Sequence, residues 1–94
     1  MMIASQKRSN RMFKTKHYSN GQLAVFLRDN DGEPLAELSV MQDSVDLAPD
    51  EFILKDYSEN SEVVQDIFDL EIFTLTDRFV FVGTHLCPVC RVLI

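Results

Sequence analysis

Apolar and polar positions alternate along most of this chain, and the alternation predicts strands. "MFKTKHY" (12–18) alternates roughly and is followed by "SNG". Asn20-Gly21 between two strand-like runs is the strongest short-range hairpin signal, because both residues tolerate positive φ. In "QLAVFLR" (22–28), Leu23, Val25 and Leu27 share one face while Ala24 and Phe26 share the other, so this run reads as a central strand. "DNDGEP" (29–34) is a second turn: Asp and Asn cap the backbone locally, Gly32 supplies positive φ, and Pro34 blocks pairing at the strand entrance. "LAELSVM" returns antiparallel, "QDSVDLAPD" is a polar connection, and "EFILKDY" is a further strand with Phe52 and Leu54 on one face.

The period then changes. In "SENSEVVQDIFDLEIF" (58–73), Val63, Ile67 and Leu70 recur at helical spacing, and Val64 and Phe68 widen that face. Ser58 suits an N-cap, and Glu59 and Glu62 suit the positive end of a helix dipole, so a helix is expected at about 59–71. "RFVFVG" is again a strand ended by Gly83, and "RVLI" a short last one. The expected fold is α+β: an antiparallel meander of about five to six strands with one helix packed on it. Residues 1–11 read as a flexible basic arm and 12–94 as a single domain, the number that 94 residues imply.

Charge sharpens this picture. Residues 1–17 carry Lys7, Arg8, Arg11, Lys14 and Lys16 and no acid, whereas the rest carries all fifteen acids against Arg28, Lys55, Arg78 and Arg91. An acidic body disfavours nucleic acid and favours basic protein surfaces. Glu59, Glu62, Asp66 and Asp69, spaced 3, 4, 3, would form one stripe on the expected helix, with no basic residue between 56 and 77 to neutralise them. Asp29, Asp31 and Glu33 form a second acidic cluster at a hairpin tip. Each has a plain reading, a solvated helix face and ordinary turn chemistry, and a functional one, a surface for a basic protein partner. No apolar run reaches the ~20 residues of a membrane span, and "MMIASQKRSN" lacks the apolar segment of a signal peptide. A cytoplasmic location in a bacterial host is expected, with no membrane partner and a monomeric chain.

Candidate chemistry is concentrated in "THLCPVCRVLI" (84–94), which holds the only two cysteines. Three readings stand. As a turn, Cys87-Pro88-Val89-Cys90 would offer two thiolates to a structural zinc, with His85 and His17 as further ligands if the first and last strands pair. As a redox pair it needs a helix starting at the first cysteine, for which four residues are too few. As buried thiols the two cysteines pack as small hydrophobes. No G-x-S-x-G, phosphate-cradling glycine loop or H-E-x-x-H is present, so no enzymatic activity is expected.

"YSNGQLAVFLRDNDGEPLAELSV", "APDEFILKDYSEN" and "RFVFVGTHLCPVCRV" together resemble a family of small proteins carried on phages and conjugative elements of Firmicutes. "DGEP" and "KDYSEN" are the more specific pieces. In size and metal pattern the chain is also similar to zinc-containing anti-CRISPR proteins of streptococcal phage type. That resemblance implies a non-enzymatic inhibitor of the type II RNA-guided nuclease that hinders target DNA loading. The presence of both cysteines departs from the family's pattern, which often keeps only the second. The alternative is a zinc-stabilised accessory protein of a mobile element that binds nucleic acid weakly through its N-terminal arm.

Overall fold

The computed structural model describes residues 12–29, 31–57, 60 and 72–93. Among the described residues the chain is all-β: β1 (Met12–His17), β2 (Leu23–Arg28), β3 (Pro34–Glu37), β4 (Ser39–Val40), β5 (Glu51–Leu54), β6 (Phe73–Val82) and β7 (His85–Val92). They form two antiparallel sheets, one in the order β1-β2-β3 and one in the order β4-β5-β7-β6. The expected α+β meander with one helix packed on it is corrected accordingly, since no helix stands among the described residues. The span 59–71, where a helix was expected, lies outside the described residues except for Asn60, as does the basic arm 1–11. No helix among the described residues is long and apolar enough to cross a membrane.

The division into two sheets comes from one residue. "LAELSVM" reads as a single strand, but Leu38 divides it and serves both sheets. Its N–H donates to the Val25 carbonyl on β2 and its carbonyl accepts from the Lys55 N–H beyond β5, both at 2.8 Å. The backbone thus leaves one ladder and joins the next at a fully buried leucine. Ser39 seals the crossing: its Oγ accepts the Val25 N–H (2.8 Å) and lies 2.9 Å from the Tyr18 hydroxyl. Burial first, then the hydrogen bond to Glu37, pushes the Tyr18 hydroxyl up to about 12.

Period-two alternation assigns the core. Leu23, Val25 and Leu27 of β2 face Phe52 and Leu54 of β5, Phe73 of β6 and Cys90 of β7 in the main cluster. The Phe52 and Phe73 rings meet edge to face with centroids 5.4 Å apart. A second cluster lies on the other face of the four-stranded sheet, where Ile53, Cys87 and Val89 are covered by Val45, Leu47 and Tyr57. The connection 41–50 that supplies this cover is tied down by Gln22 and Gln42. The Gln22 amide donates to the Gln42 and Val45 carbonyls, and the Gln42 amide donates to the Phe81 carbonyl.

The turns follow their sequence signals. Gly21 and Gly32 adopt φ of +89° and +86°. The β1–β2 turn is closed by the Gly21 N–H donating to the Tyr18 carbonyl, and Tyr18 N–H donates to the Gln22 carbonyl.

Candidate functional site

β6 and β7 are the longest strands among the described residues, and the two faces of their hairpin differ. Cross-strand partners share a face of an antiparallel pair. On one face, Val80 and Val82 of β6 pack toward Ile53, Cys87 and Val89 in the second cluster. On the other face Phe81 pairs with Leu86, Phe79 with Pro88, and Leu75 with Cys90. Cys90 and Pro88 are buried on this face, whereas Leu75, Phe79, Phe81 and Leu86 are 51%, 57%, 65% and 53% exposed. Four large apolar side chains, Leu75 on one side of a register shift and Phe79, Phe81 and Leu86 on the other, are exposed on this face. Exposed apolar patches are candidates for interaction surfaces.

A bulge shapes the middle of β6. Three residues, Thr76, Asp77 and Arg78, stand where the register jumps between Leu75 and Phe79, and Asp77 adopts φ of +74°. The Thr76 hydroxyl donates to the Val89 carbonyl (2.9 Å). The bulge re-aims Arg78 across the sheet, where Nη1 meets Glu51 Oε1 (3.3 Å) and Nη2 donates to the Asp46 carbonyl (2.9 Å). Glu51 is almost fully buried. Its Oε1 also accepts the Ala48 N–H (2.8 Å), and its Oε2 meets Arg91 Nη2 at 3.3 Å. Arg91 Nε in turn meets Asp50 at 3.2 Å. A carboxylate so held, with its lone pairs occupied by two arginines and an amide, fastens the 46–51 segment to β6 and β7.

The cysteines do not form a turn. Cys87-Pro88-Val89-Cys90 is part of the extended strand β7, and residues three apart on a strand point to opposite faces. Cys87 accordingly lies in the second cluster beside Val89, and Cys90 in the main one opposite Phe52. Both are fully buried and free. Burial, with the Asp56 charge as a lesser cause, pushes the Cys90 thiol up to about 12 and raises Cys87 as well. Pro88 fits an extended reading: the pairing with β5 runs from Arg91 to Val89 and ends there, so the missing N–H removes no bond from that ladder.

The histidines do not converge on these thiols either. The pairing of first and last strands that would bring His17 across does not occur: β1 pairs with β2 in one sheet, and β7 lies between β5 and β6 in the other. His17 is exposed and lines an open cleft of about 330 Å³ with Asn20, Asp43 and Asp46. His85 is exposed near the hairpin turn and stacks on the Tyr57 ring, centroids 4.3 Å apart and planes 4° from parallel. Among the described residues, no three His, Cys, Asp or Glu side chains are gathered as a metal site requires.

Of the expected acidic surfaces, the hairpin tip is described. Asp29 Oδ1 accepts the N–H groups of Asp31 and Glu33 (both 2.9 Å), which is turn chemistry, while Asp31 and Glu33 are exposed. Glu59, Glu62, Asp66 and Asp69 lie outside the described residues. The apolar face and the Glu51 ion cluster were not anticipated from the sequence. The one available signal for the former was "RFVFVGTHL", a hairpin apolar on both sides. Comparison with family models, with curated proteins and with solved structures finds no match to the chain.

Proposed function

We propose that this protein is a non-enzymatic binding protein that engages another protein through the exposed face of the β6–β7 ribbon. The observation that carries the reading is the set Leu75, Phe79, Phe81 and Leu86, each more than half exposed on one face of the β6–β7 hairpin. Interfaces draw their affinity from such aromatic and aliphatic anchors at a desolvated centre, with charge around them setting partner choice and association rate. The net charge of −6 selects a basic partner. A nuclease that holds its guide–target heteroduplex in a positively charged channel is such a partner. The resemblance to inhibitors of the type II RNA-guided nuclease makes that enzyme the partner to test first. The reactive side-chain types support a binding role. Both thiols are buried and held protonated, and Glu51 is enclosed by Arg78 and Arg91.

The experiment is a nuclease cleavage assay and affinity capture with the parent protein and with Phe79→Ser/Phe81→Ser. Both side chains are more than half exposed, so the double variant is expected to keep its melting temperature while its binding weakens by at least tenfold. Undiminished capture by the double variant would refute the role of this face. Capture of duplex DNA instead of the nuclease, weakening steeply with salt, would favour the mobile-element accessory reading.

A further inference from the structure

We propose that the outer edge of β1 is a strand-addition site: it takes an extended, acidic segment of a partner protein as a fourth strand of the three-stranded sheet. The site is separate from the β6–β7 face and does not depend on the role given to that face.

Pairing and topology leave the edge open. β1 is the outer strand in the order β1-β2-β3, and among the described residues no strand pairs with its far side. At the closed end of the hairpin the Tyr18 N–H donates to the Gln22 carbonyl, and hydrogen-bonded pairs alternate along an antiparallel ladder. Lys14 with Phe26 and Lys16 with Ala24 are therefore the bonded pairs, and Phe13, Thr15 and His17 turn their N–H and C=O groups outward. The other outer strands are less open. β3 has four residues and begins at Pro34, β4 has two, and β6 is interrupted by the Thr76–Arg78 bulge. β1 runs six residues without proline, glycine or a register shift. A row of this kind is the template that strand addition uses.

The two faces of β1 select the occupant. Period two puts Phe13 and Thr15 on the face that Leu23 shares. There the three line a cleft of about 380 Å³ with Pro49, Asp50 and Val92. The Asp50 carboxylate is already paired with Arg91 at 3.2 Å. Lys14 and Lys16 stand on the opposite face, both exposed, across from the uncharged Phe26 and Ala24. No acid occurs in residues 1–17, so this is a basic surface on a chain of net charge −6. An incoming strand meets lysines on one side and a cleft with apolar walls on the other. The segment that fits alternates in the same way, with carboxylates beside Lys14 and Lys16 and apolar side chains over the cleft. A nucleic-acid strand would satisfy the lysines, but its backbone has no N–H donors for the outward carbonyls of Phe13, Thr15 and His17.

The test titrates the full chain with an end-capped peptide of about seven residues that alternates glutamate and valine, followed through backbone amide resonances. Saturable binding is expected below about 1 mM, and amide hydrogen exchange at Phe13, Thr15 and His17 is expected to slow about tenfold or more in the complex. Lys14→Glu/Lys16→Glu is expected to weaken binding about tenfold or more at an unchanged melting temperature, since both side chains are exposed. Thr15→Pro is expected to abolish binding and keep the fold, because the N–H it removes faces outward and carries no bond to β2. N-methylation of one alternate set of peptide amides is expected to abolish binding, and of the other set to leave it. Phe79→Ser/Phe81→Ser is expected to bind the peptide like the parent. Absence of binding at about 1 mM overturns the proposal and leaves the lysines as guards of an outer strand. Binding without slowed exchange at Phe13, Thr15 and His17, or with equal sensitivity to both N-methylated sets, also overturns it. So does tighter binding of a single-stranded oligonucleotide of equal charge. Nuclease capture that depends on Phe79 and Phe81, with no peptide binding at β1, removes this inference and leaves the β6–β7 reading standing.

Discussion

Replacing each cysteine by serine distinguishes the three readings that "CPVC" allows. Both thiols are fully buried, but on opposite faces of β7 and in different surroundings. Cys90 lies among Val25, Leu27, Phe52, Leu54 and Phe73. A serine hydroxyl there is buried without a natural partner, which costs about 1–3 kcal/mol. The loss of the larger sulfur adds a fraction of a kcal/mol to about 1 kcal/mol more. Cys87 has the His85 carbonyl 3.9 Å from its sulfur, so a hydroxyl there has an acceptor close by. Cys87→Ser is expected to cost about half as much as Cys90→Ser. The measurement is urea unfolding followed by circular dichroism, repeated with a chelator and at two pH values. The midpoint is expected to fall more for Cys90→Ser than for Cys87→Ser, and the chelator is expected to move neither. A structural zinc bound by both thiolates would make the two losses equal, each several kcal/mol, and the chelator would reproduce them. That result would refute the assignment of the thiols to opposite faces. Slow modification by a thiol reagent, at a rate set by unfolding, is the companion expectation, because a buried thiol held protonated is a poor nucleophile.

The other expectations concern the polar anchors. Glu51→Ala is expected to cost about 1–3 kcal/mol in thermal or urea unfolding, as the Ala48 N–H loses its acceptor and Arg78 and Arg91 lose their shared carboxylate; both arginines are half exposed, which limits the loss. Glu51→Gln should fall between parent and alanine. Asn60 is fully buried and its amide donates to the Glu37 and Lys55 carbonyls at 2.8 and 3.0 Å, so Asn60→Ala is expected to cost about 1–3 kcal/mol, again read from unfolding midpoints. In alkaline solution the protonated forms of Cys90 and Tyr18 are favoured by the fold, each with its titration pushed up to about 12 from ordinary values of 9.0 and 10.0. Their contribution is fully present below pH 9 and is lost as pH rises towards 12. An unfolding midpoint that stays constant across that range, or rises, would contradict it. Tyr18→Phe should flatten the upper part of the loss.

The strands were legible where local chemistry and pattern agree. Asn20-Gly21 and Asp29–Gly32 gave their turns, because positive φ and side-chain caps act within four residues. Leu23, Val25 and Leu27 were placed on one face, and Phe52 and Leu54 on one face, because strand geometry has a period of two wherever the strand ends up. The extent of β6 and β7 was misread for the same local reason. Proline between two cysteines resembles a turn, yet β5 and β6 pair the strand on both sides and hold it extended.

By itself, then, the sequence determined the alternation, the hairpin turns, the acidic balance and the paired apolar sets of β2 and β5, all consequences of backbone sterics and residue type. Tertiary structure decided the rest. It divided one expected strand between two sheets at Leu38, sent Cys87 and Cys90 to opposite faces, and drew Arg78 and Arg91 onto Glu51 from strands distant in sequence. It also decided which apolar face stays uncovered. β2 and β6 both carry apolar residues on two sides, yet Leu23, Ala24, Val25 and Leu27 of the one are buried while Phe79 and Phe81 of the other are exposed. Burial is a property of what lies opposite a side chain, and no residue carries that information in its own identity.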